Sequence, residues 1–218
     1  MSKSSLIKRW YRFLSPRWQS IHLDYPVTLS PRHEPGSGNA HVALEGILKD
    51  RVNVFHEEVE KILGFEKDLS AIRKRNEEPN PLLPGWNNGF LPGLDMASLF
   101  SFIASRKPKR YIEVGSGNST LVAAAAKAQH STRTEIISID PFPRADIDQI
   151  SQTIVREPFE SIDPELADTL EPGDILFIDN SHRVLPNSDA TVAFLEWFPR
   201  LKPGVLVQVH DIYIPWDY

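Results

Sequence analysis

Acidic, histidine and glycine residues stand directly after four apolar segments in the second half of the chain. In chain order they are Gly115 and Gly117, Asp140, Asp179, and His210 with Asp211. Carboxylates bind ribose hydroxyls or metal ions, histidine moves protons near neutral pH, and glycine lets the backbone approach a ligand closely. We therefore predict one functional site, provided that the fold brings the ends of these segments together.

The apolar segments are predicted to be strands that alternate with helices. The strands cover residues 110–114, 135–139, 153–156, 174–178 and 205–209, and the helices cover 94–105, 119–129, 147–153, 163–170 and 188–198. Asp163 is the predicted N-cap of one helix, with Pro164 at its first position. This alternation predicts a doubly wound α/β fold around a parallel sheet. All the strands then end at the sheet edge where such folds bind ligands.

Residues 1–92 lack this alternation and predict a mostly helical and irregular N-terminal extension. We expect a short amphipathic helix over 5–14 and a longer helix over 44–62, with Gly64 as its C-terminal cap. Proline and glycine predict loops over 26–39 and 76–92. We favour packing of the first helix against the main domain or a partner chain over contact with an anionic membrane surface. The second helix lies on the main domain or forms a dimer contact.

The composition excludes several classes of protein. The chain has 218 residues, a formal charge of −5 and no cysteine. Disulfide frameworks and thiolate nucleophiles are therefore excluded, and a metal site has to use His, Asp or Glu. No apolar run approaches the ~20 residues that cross a bilayer, and the basic N-terminus does not resemble a secretory signal. We expect a cytoplasmic protein without a transmembrane segment.

The glycine turn after the first strand favours one kind of nucleotide ligand. The third glycine of the dinucleotide fingerprint is absent, since Thr120 stands there. Glu113 precedes the turn, where its charge would disfavour a pyrophosphate but tolerate a cation. Asp140 ends the next strand, where a carboxylate binds ribose hydroxyls. S-adenosylmethionine, a positively charged adenosine without phosphate, fits these features, and an NAD-dependent oxidoreductase is the alternative.

Four segments resemble the motifs of class I S-adenosylmethionine-dependent methyltransferases, most closely those of a bacterial subgroup. They are residues 111–120 (YIEVGSGNST), 137–141 (ISIDP), 175–182 (ILFIDNSH) and 201–212 (LKPGVLVQVHDI). The resemblance covers residues 94–212 and implies a Rossmann-like fold that binds S-adenosylmethionine. It implies that Glu157 or Phe159 flanks the adenine. The other implied cofactor contacts are Glu113, Gly115, Ser116, Gly117, Asn118, Ser119, Asp140 and Pro141.

The resemblance also suggests domain limits of 1–92 for the extension and 93–218 for the methyltransferase domain. Members of this family usually continue past the fifth strand with a helix and an antiparallel pair of strands. The chain ends at Tyr218, soon after that strand. We therefore expect either a truncated domain that lacks its C-terminal strands or a sheet edge that is covered in another way. A bare strand edge would favour self-association into a homo-oligomer.

The acceptor side of the predicted site resembles macrolide-sugar and catechol O-methyltransferases. In the macrolide-sugar type, an Asp after the fourth strand helps to hold Mg²⁺ and a His three residues later acts as a base. Asp179 and His182 have this spacing, which makes them the predicted catalytic pair. Asp179, His210 and Asp211 are the predicted metal ligands. Because histidine stands where that type has a carboxylate, the site takes Mn²⁺, Zn²⁺ or Fe²⁺, or no metal.

These features predict O-methylation of a small molecule or sugar. The acidic net charge, and Asp179-Asn180-Ser181-His182 in place of an Asn/Asp-Pro-Pro-aromatic motif, disfavour a nucleic-acid acceptor. A non-catalytic cofactor-binding or scaffold protein is a further alternative. A segment before the first helix of the domain forms either a lid over the cofactor or a packed linker; its residues are Trp86, Asn87, Asn88 and Phe90.

Overall fold

A five-stranded parallel sheet forms the centre of the computed structural model, which describes residues 3–16, 20–21, 23–28, 30–130 and 133–217. The strands are β1 (Arg110–Val114), β2 (Glu135–Ile139), β3 (Thr153–Val155), β4 (Ile175–Ile178) and β5 (Leu206–Val209). Their order across the sheet is β3-β2-β1-β4-β5. From β1 the chain first adds β2 and β3 on one side of the sheet and then crosses over to add β4 and β5 on the other side. Ligands are expected at the carboxyl ends of β1 and β4, because the strand order reverses between them.

Side chains alternate between the two faces of the sheet, and each face is covered by a different layer. One face packs on α5 (Gly93–Arg106) and α6 (Asn118–His130) through Tyr111, Ile136 and Phe177. The other face, with Ile112, packs on the segments that follow β3 and β4, including Trp197. The predicted doubly wound α/β fold with a helical N-terminal region is therefore confirmed.

The described part of the N-terminal region contains four helices, α1 (Lys3–Leu14), α2 (Val42–Lys49), α3 (Val52–Leu63) and α4 (Glu66–Ala71). The prediction of one continuous helix over 44–62 was wrong. Arg51 N donates to Leu48 O, three residues back, and this tighter turn separates α2 from α3. Gly64 has a right-handed φ of −58°, so it does not form a left-handed cap and the chain continues into α4.

Two predictions in the second half also need correction. The helix predicted over 147–153 is instead a single turn that ends before β3, because Gln152 N donates to Ile136 O and its side chain accepts from Ile136 N, which ties this segment alongside β2. The helix predicted over 188–198 has three parts: α7 (Asp189–Val192), a π-helical turn (Ala193–Trp197) and a 3₁₀ turn (Phe198–Arg200). Pro199 in the last turn has no N–H to continue the regular hydrogen bonding.

The other predicted elements are confirmed with small shifts of their ends. Asp163 accepts from Glu165 N at the start of the Pro164–Thr169 helix, as its N-cap role predicts, although this helix is of the 3₁₀ type. Within the described residues, no helix has both the length and the apolar character required to span a bilayer.

Candidate functional site

A cavity of about 380 Å³ opens at the carboxyl ends of β1, β2 and β4. The predicted residues Gly115, Ser116, Asp140, Pro141 and Asp179 all line it. The sheet order places them together, because β1 lies between β2 and β4. The prediction that the polar residues after successive strands share one edge is therefore confirmed.

Gly115 occupies a position that no larger residue can take. Its φ is +79°, and a Cβ there would lie 1.9 Å from the carbonyl oxygen of Asp179. Gly115 N donates to Ile139 O, and Asp179 N donates to Val114 O. The glycine therefore lets the ends of β1, β2 and β4 meet beneath the cavity.

Asp140 is fixed at the cavity wall by hydrogen bonds to both carboxylate oxygens. Ser116 N donates to Oδ2 at 2.8 Å, and Phe142 N donates to Oδ1 at 2.7 Å. Ser116 Oγ is a third, longer donor, to Oδ2 at 3.3 Å. Oδ1 therefore keeps a lone pair for one ligand hydroxyl, and Oδ2 can accept from a second when the Ser116 hydroxyl rotates away. A ribose diol has this donor pattern.

Glu113 does not line the cavity and is completely buried beneath the glycine turn. Its carboxylate accepts hydrogen bonds from Ser138 Oγ at 2.6 Å, Ser119 Oγ at 2.9 Å and Tyr111 Oη at 3.1 Å, and also from Thr120 Oγ1. Burial raises the pKa of Glu113 to about 7, although these four hydrogen bonds oppose the shift.

The position of Glu113 does not support the expectation that its charge selects the ligand. Its charge faces hydroxyl groups on the α5–α6 side of the sheet, so it does not act directly on a ligand in the cavity. It does not therefore discriminate between a pyrophosphate and a cation there. Its visible role is to tie β1 to β2 through Ser138 and to the start of α6 through Ser119 and Thr120.

Gly117, Asn118 and Ser119 also lie outside the cavity lining. Gly117 N donates to Thr120 Oγ1, which in turn donates to Glu113. A Cβ on Gly117 would come within 3.3 Å of Arg144 Cβ, so the missing side chain allows the loop after β2 to pack on the turn. These residues therefore support the conformation of the glycine turn without lining the cavity.

Two histidines and two aspartates meet where β4 and β5 end. His210 Nδ1 lies 3.4 Å from Asp179 Oδ1 and 3.5 Å from Asp211 Oδ1. His182 Nε2 lies 3.5 Å from Asp179 Oδ1 and 3.4 Å from Asp211 Oδ2. The predicted catalytic and metal-binding residues are therefore brought together, because β4 and β5 are adjacent in the sheet.

Within this cluster, Asp179, His210 and Asp211 can place one oxygen or nitrogen each within 4.8 Å of one another. The His210 side chain is 4% exposed, and among the described residues its Nδ1 has no well-formed hydrogen bond. This buried ring nitrogen faces two carboxylates, so the three side chains together could hold a metal ion. Two oxygens and one nitrogen suit Mn²⁺, Fe²⁺ or Zn²⁺ better than Mg²⁺.

The charges in the cluster stabilise one another. Asp179 is the largest influence on His210 and raises the pKa of this imidazole, against the lowering effect of burial. Burial alone would raise the pKa of Asp179, but His210, Arg144 and His182 together bring it below its ordinary value. The cluster therefore stabilises the protonated form of His210 and the ionised form of Asp179.

Several residues of the site were missed by sequence reasoning. Phe142 and Arg144, in the loop after β2, line the cavity, as does Asp189 at the start of α7. Asp95, in the first turn of α5, lies 3.8 Å from His210 Nε2. A loop has no periodicity that marks the direction of its side chains, so no signal in the sequence identified Phe142 or Arg144. Of the two residues expected to flank adenine, Phe159 lines the cavity and Glu157 does not.

The segment before α5 behaves mainly as a packed linker. Trp86 packs against the core, with its ring N–H donating to Leu69 O, and Asn88 donates to Gly85 O and Leu91 O. Phe90 differs, because its ring lies 4.8 Å from the Arg144 guanidinium. Through this contact the segment reaches the cavity rim.

Residues 112–212 match the family described as a methyltransferase domain. An uncharacterised protein of Archaeoglobus fulgidus is 32% identical over 117 residues, which cover 51% of this chain and 53% of that protein. The chain thus spans about half the length of the curated relative that it matches.

Two solved structures with bound S-adenosylhomocysteine are similar at low identity. The methyltransferase PaMTH1 of Podospora anserina has 17% identity and a TM-score of 0.41, covering 75% of this chain and 69% of that one. A putative protein-L-isoaspartate O-methyltransferase of Plasmodium falciparum has 14% identity and a TM-score of 0.38, covering 80% of this chain and 86% of that one.

Proposed function

We propose that the chain, whose residues 112–212 match a methyltransferase domain, is a class I S-adenosylmethionine-dependent methyltransferase and that it methylates a hydroxyl group of a small molecule or sugar. The observation that carries the proposal is the position of Asp179. This residue lines the cavity and also belongs to the cluster with His210 and Asp211. A cofactor in the cavity would therefore lie beside groups suited to activating a hydroxyl. The catalytic unit in this proposal is residues 93–218, and residues 1–92 are an extension.

The cavity residues would hold S-adenosylmethionine, which supplies a methyl group on a positively charged sulfur. Asp140 accepts hydrogen bonds from the ribose hydroxyls, and Pro141 and Phe159 provide apolar surface for the adenine. Gly115 and Ser116 leave room for the remainder of the molecule. Asp179 adds negative charge to the cavity wall, which favours a cationic cofactor over a neutral one.

The cluster would orient the acceptor and remove its proton. Methyl transfer is an in-line displacement, so the protein contributes chiefly by aligning the acceptor oxygen with the methyl group. His182 is the proposed base, and Asp179 and Asp211, which both lie near its Nε2, would stabilise the imidazolium that forms. A divalent metal held by Asp179, His210 and Asp211 would lower the pKa of the acceptor hydroxyl.

Cofactor binding is tested by calorimetric titration with S-adenosylhomocysteine and, separately, NADH. We expect the wild type to bind only S-adenosylhomocysteine, and Asp140→Ala to weaken that binding by about 100-fold, because a charged acceptor to two hydroxyls is lost. Asp148→Ala is the matched control, since this exposed carboxylate follows the same strand but pairs with Arg156 outside the cavity. Preference for NADH, or equal effects of both substitutions, would contradict the assignment.

Acceptor chemistry is tested with a panel of phenolic, sugar and amine acceptors, with and without Mn²⁺. We expect hydroxyl methylation that His182→Ala reduces by about 100-fold, within the usual range for a general base. His56→Ala, an exposed position on α3, is the control. If cofactor binds but only amines react, the methyltransferase assignment holds and the hydroxyl proposal fails. If activity does not change when metal is added or removed, the proposed metal site is wrong, and the His182→Ala result then tests the proposed base alone.

A further inference from the structure

The N-terminal helix α1 has apolar and basic side chains that are exposed to solvent among its described residues. Ile7, Trp10, Tyr11 and Leu14 are 69%, 58%, 63% and 73% exposed. They follow the spacing i, i+3, i+4, i+7, so they form one stripe along a helix. The sequence favoured packing of α1 against the main domain or a partner chain. These four side chains do not pack against the main domain, because they are exposed.

The charge around α1 is opposite to that of the remaining chain. Residues 1–23 contain five Lys or Arg residues and no Asp or Glu. The remaining residues contain 19 basic and 29 acidic side chains, a formal charge of −10. Lys8 and Arg12 are one turn apart, outside the apolar stripe, and are exposed. An anionic surface would therefore attract α1 and repel the rest of the protein.

We propose that α1 binds the surface of anionic phospholipid membranes and anchors the enzyme there. A basic face, and an apolar face that includes tryptophan and tyrosine, are the features of helices that lie in the headgroup region. The twelve residues of α1 span about 18 Å, less than the ~30 Å hydrocarbon core, so the helix lies along the surface. This inference is independent of the acceptor proposed above.

A lipid surface can bind the apolar face and the basic face of α1 at the same time. The apolar stripe leaves water for the acyl region while Lys8 and Arg12 remain at the level of the phosphates. A second copy of the chain is the competing occupant, because its acidic surface would also attract a basic helix. It would have to supply an apolar groove for the stripe as well as the charge.

Vesicle co-sedimentation tests the proposal with the full chain. We expect binding to phosphatidylcholine vesicles that contain about one third phosphatidylglycerol, little binding to pure phosphatidylcholine, and release at high salt. The double variant K8E/R12E should bind the anionic vesicles at least 10-fold more weakly, since each basic residue near the surface contributes measurably. K49E/K67E, at exposed positions on α2 and α4, is the charge-matched control and should retain binding, although Lys49 also pairs with Glu45.

The apolar face is tested in the same way. I7S/L14S should lose binding, whereas V42S/I47S, which changes two exposed apolar residues of α2, should not. Tryptophan emission should shift to shorter wavelength on vesicle addition, and Trp10→Phe should remove that component of the shift. Thermal melting of each variant confirms that the fold is intact. Absence of binding to anionic vesicles, equal binding by K8E/R12E, or an α1-dependent dimer by sedimentation velocity in place of lipid binding would overturn the proposal.

Discussion

Glu113 gives the sharpest physical prediction, because a buried carboxylate links protonation to folding. Its pKa is about 7 in the folded protein, against an ordinary value of 4.5. Between these values the folded state binds a proton that the unfolded state has released. The free energy of unfolding therefore falls as the pH rises through this range. Below pH 4.5 both states are protonated, and this contribution is fully present.

The size of the effect follows from the shift. Each pKa unit corresponds to about 1.4 kcal/mol, so the complete titration of Glu113 is worth about 3 kcal/mol, most of which falls between pH 5 and pH 8. Glu113→Gln keeps the shape of the side chain but cannot ionise. The four surrounding hydroxyl groups can rotate to accept from the amide or donate to its oxygen. The variant should therefore lack this pH dependence.

Urea unfolding of both proteins from pH 5 to pH 8 measures this difference directly. We expect Glu113→Gln to gain about 2–3 kcal/mol relative to the wild type across this range, or about 5–10 °C in Tm for a chain of this size. Other titrating groups are common to both proteins and cancel in the comparison. Glu57→Gln, at an exposed position on α3, is the control and should follow the wild type. A stability gap that stays constant with pH would refute the reasoning.

Two further predictions concern Gly115, which follows β1, and His210, which follows β5. Gly115→Ala should lower the free energy of unfolding in urea by at least about 3 kcal/mol, because its Cβ would lie 1.9 Å from the Asp179 carbonyl oxygen. Gly173→Ala is the control: Gly173 has a φ of +96° and its Cβ would have no atom within 4 Å, so backbone strain alone should lower the free energy of unfolding by about 1 kcal/mol. Equal losses would show that the close contact does not matter. NMR titration should find the pKa of the His210 imidazole above its ordinary 6.5 in the apoprotein, and Asp179→Asn should lower it, since that carboxylate is the largest cause of the shift. An unchanged value in the variant would rule out this pairing.

The strands and the site edge were predictable because each depends on local sequence and on one topological rule. Buried strands in a parallel sheet are continuous apolar runs, and the polar residue that follows each run then lies at the ligand-binding edge. Asp140 and Asp179 were assigned on that basis, and they line the same cavity. The pairing of His210 with Asp179 followed from the same rule, because β4 and β5 are neighbours.

Other features were beyond local reasoning. An apolar stripe with correct spacing predicted one helix over 44–62, but neither α2 nor α3 has a buried residue, so packing does not hold the two in a single straight helix. The loop after β2 has no periodicity, and it was the tertiary structure that placed Arg144 over the glycine turn and against Phe90.

The sequence by itself determined the fold class, the edge of the sheet that carries the site and the residue types available there. It could do so because apolar periodicity and chain order are local properties. Only the tertiary structure decided the direction of each side chain. It turned Glu113 away from the cavity into a group of hydroxyls, and it left the apolar stripe of α1 in solvent. Burial and electrostatic environment depend on residues far apart in the chain, so these outcomes required the folded molecule.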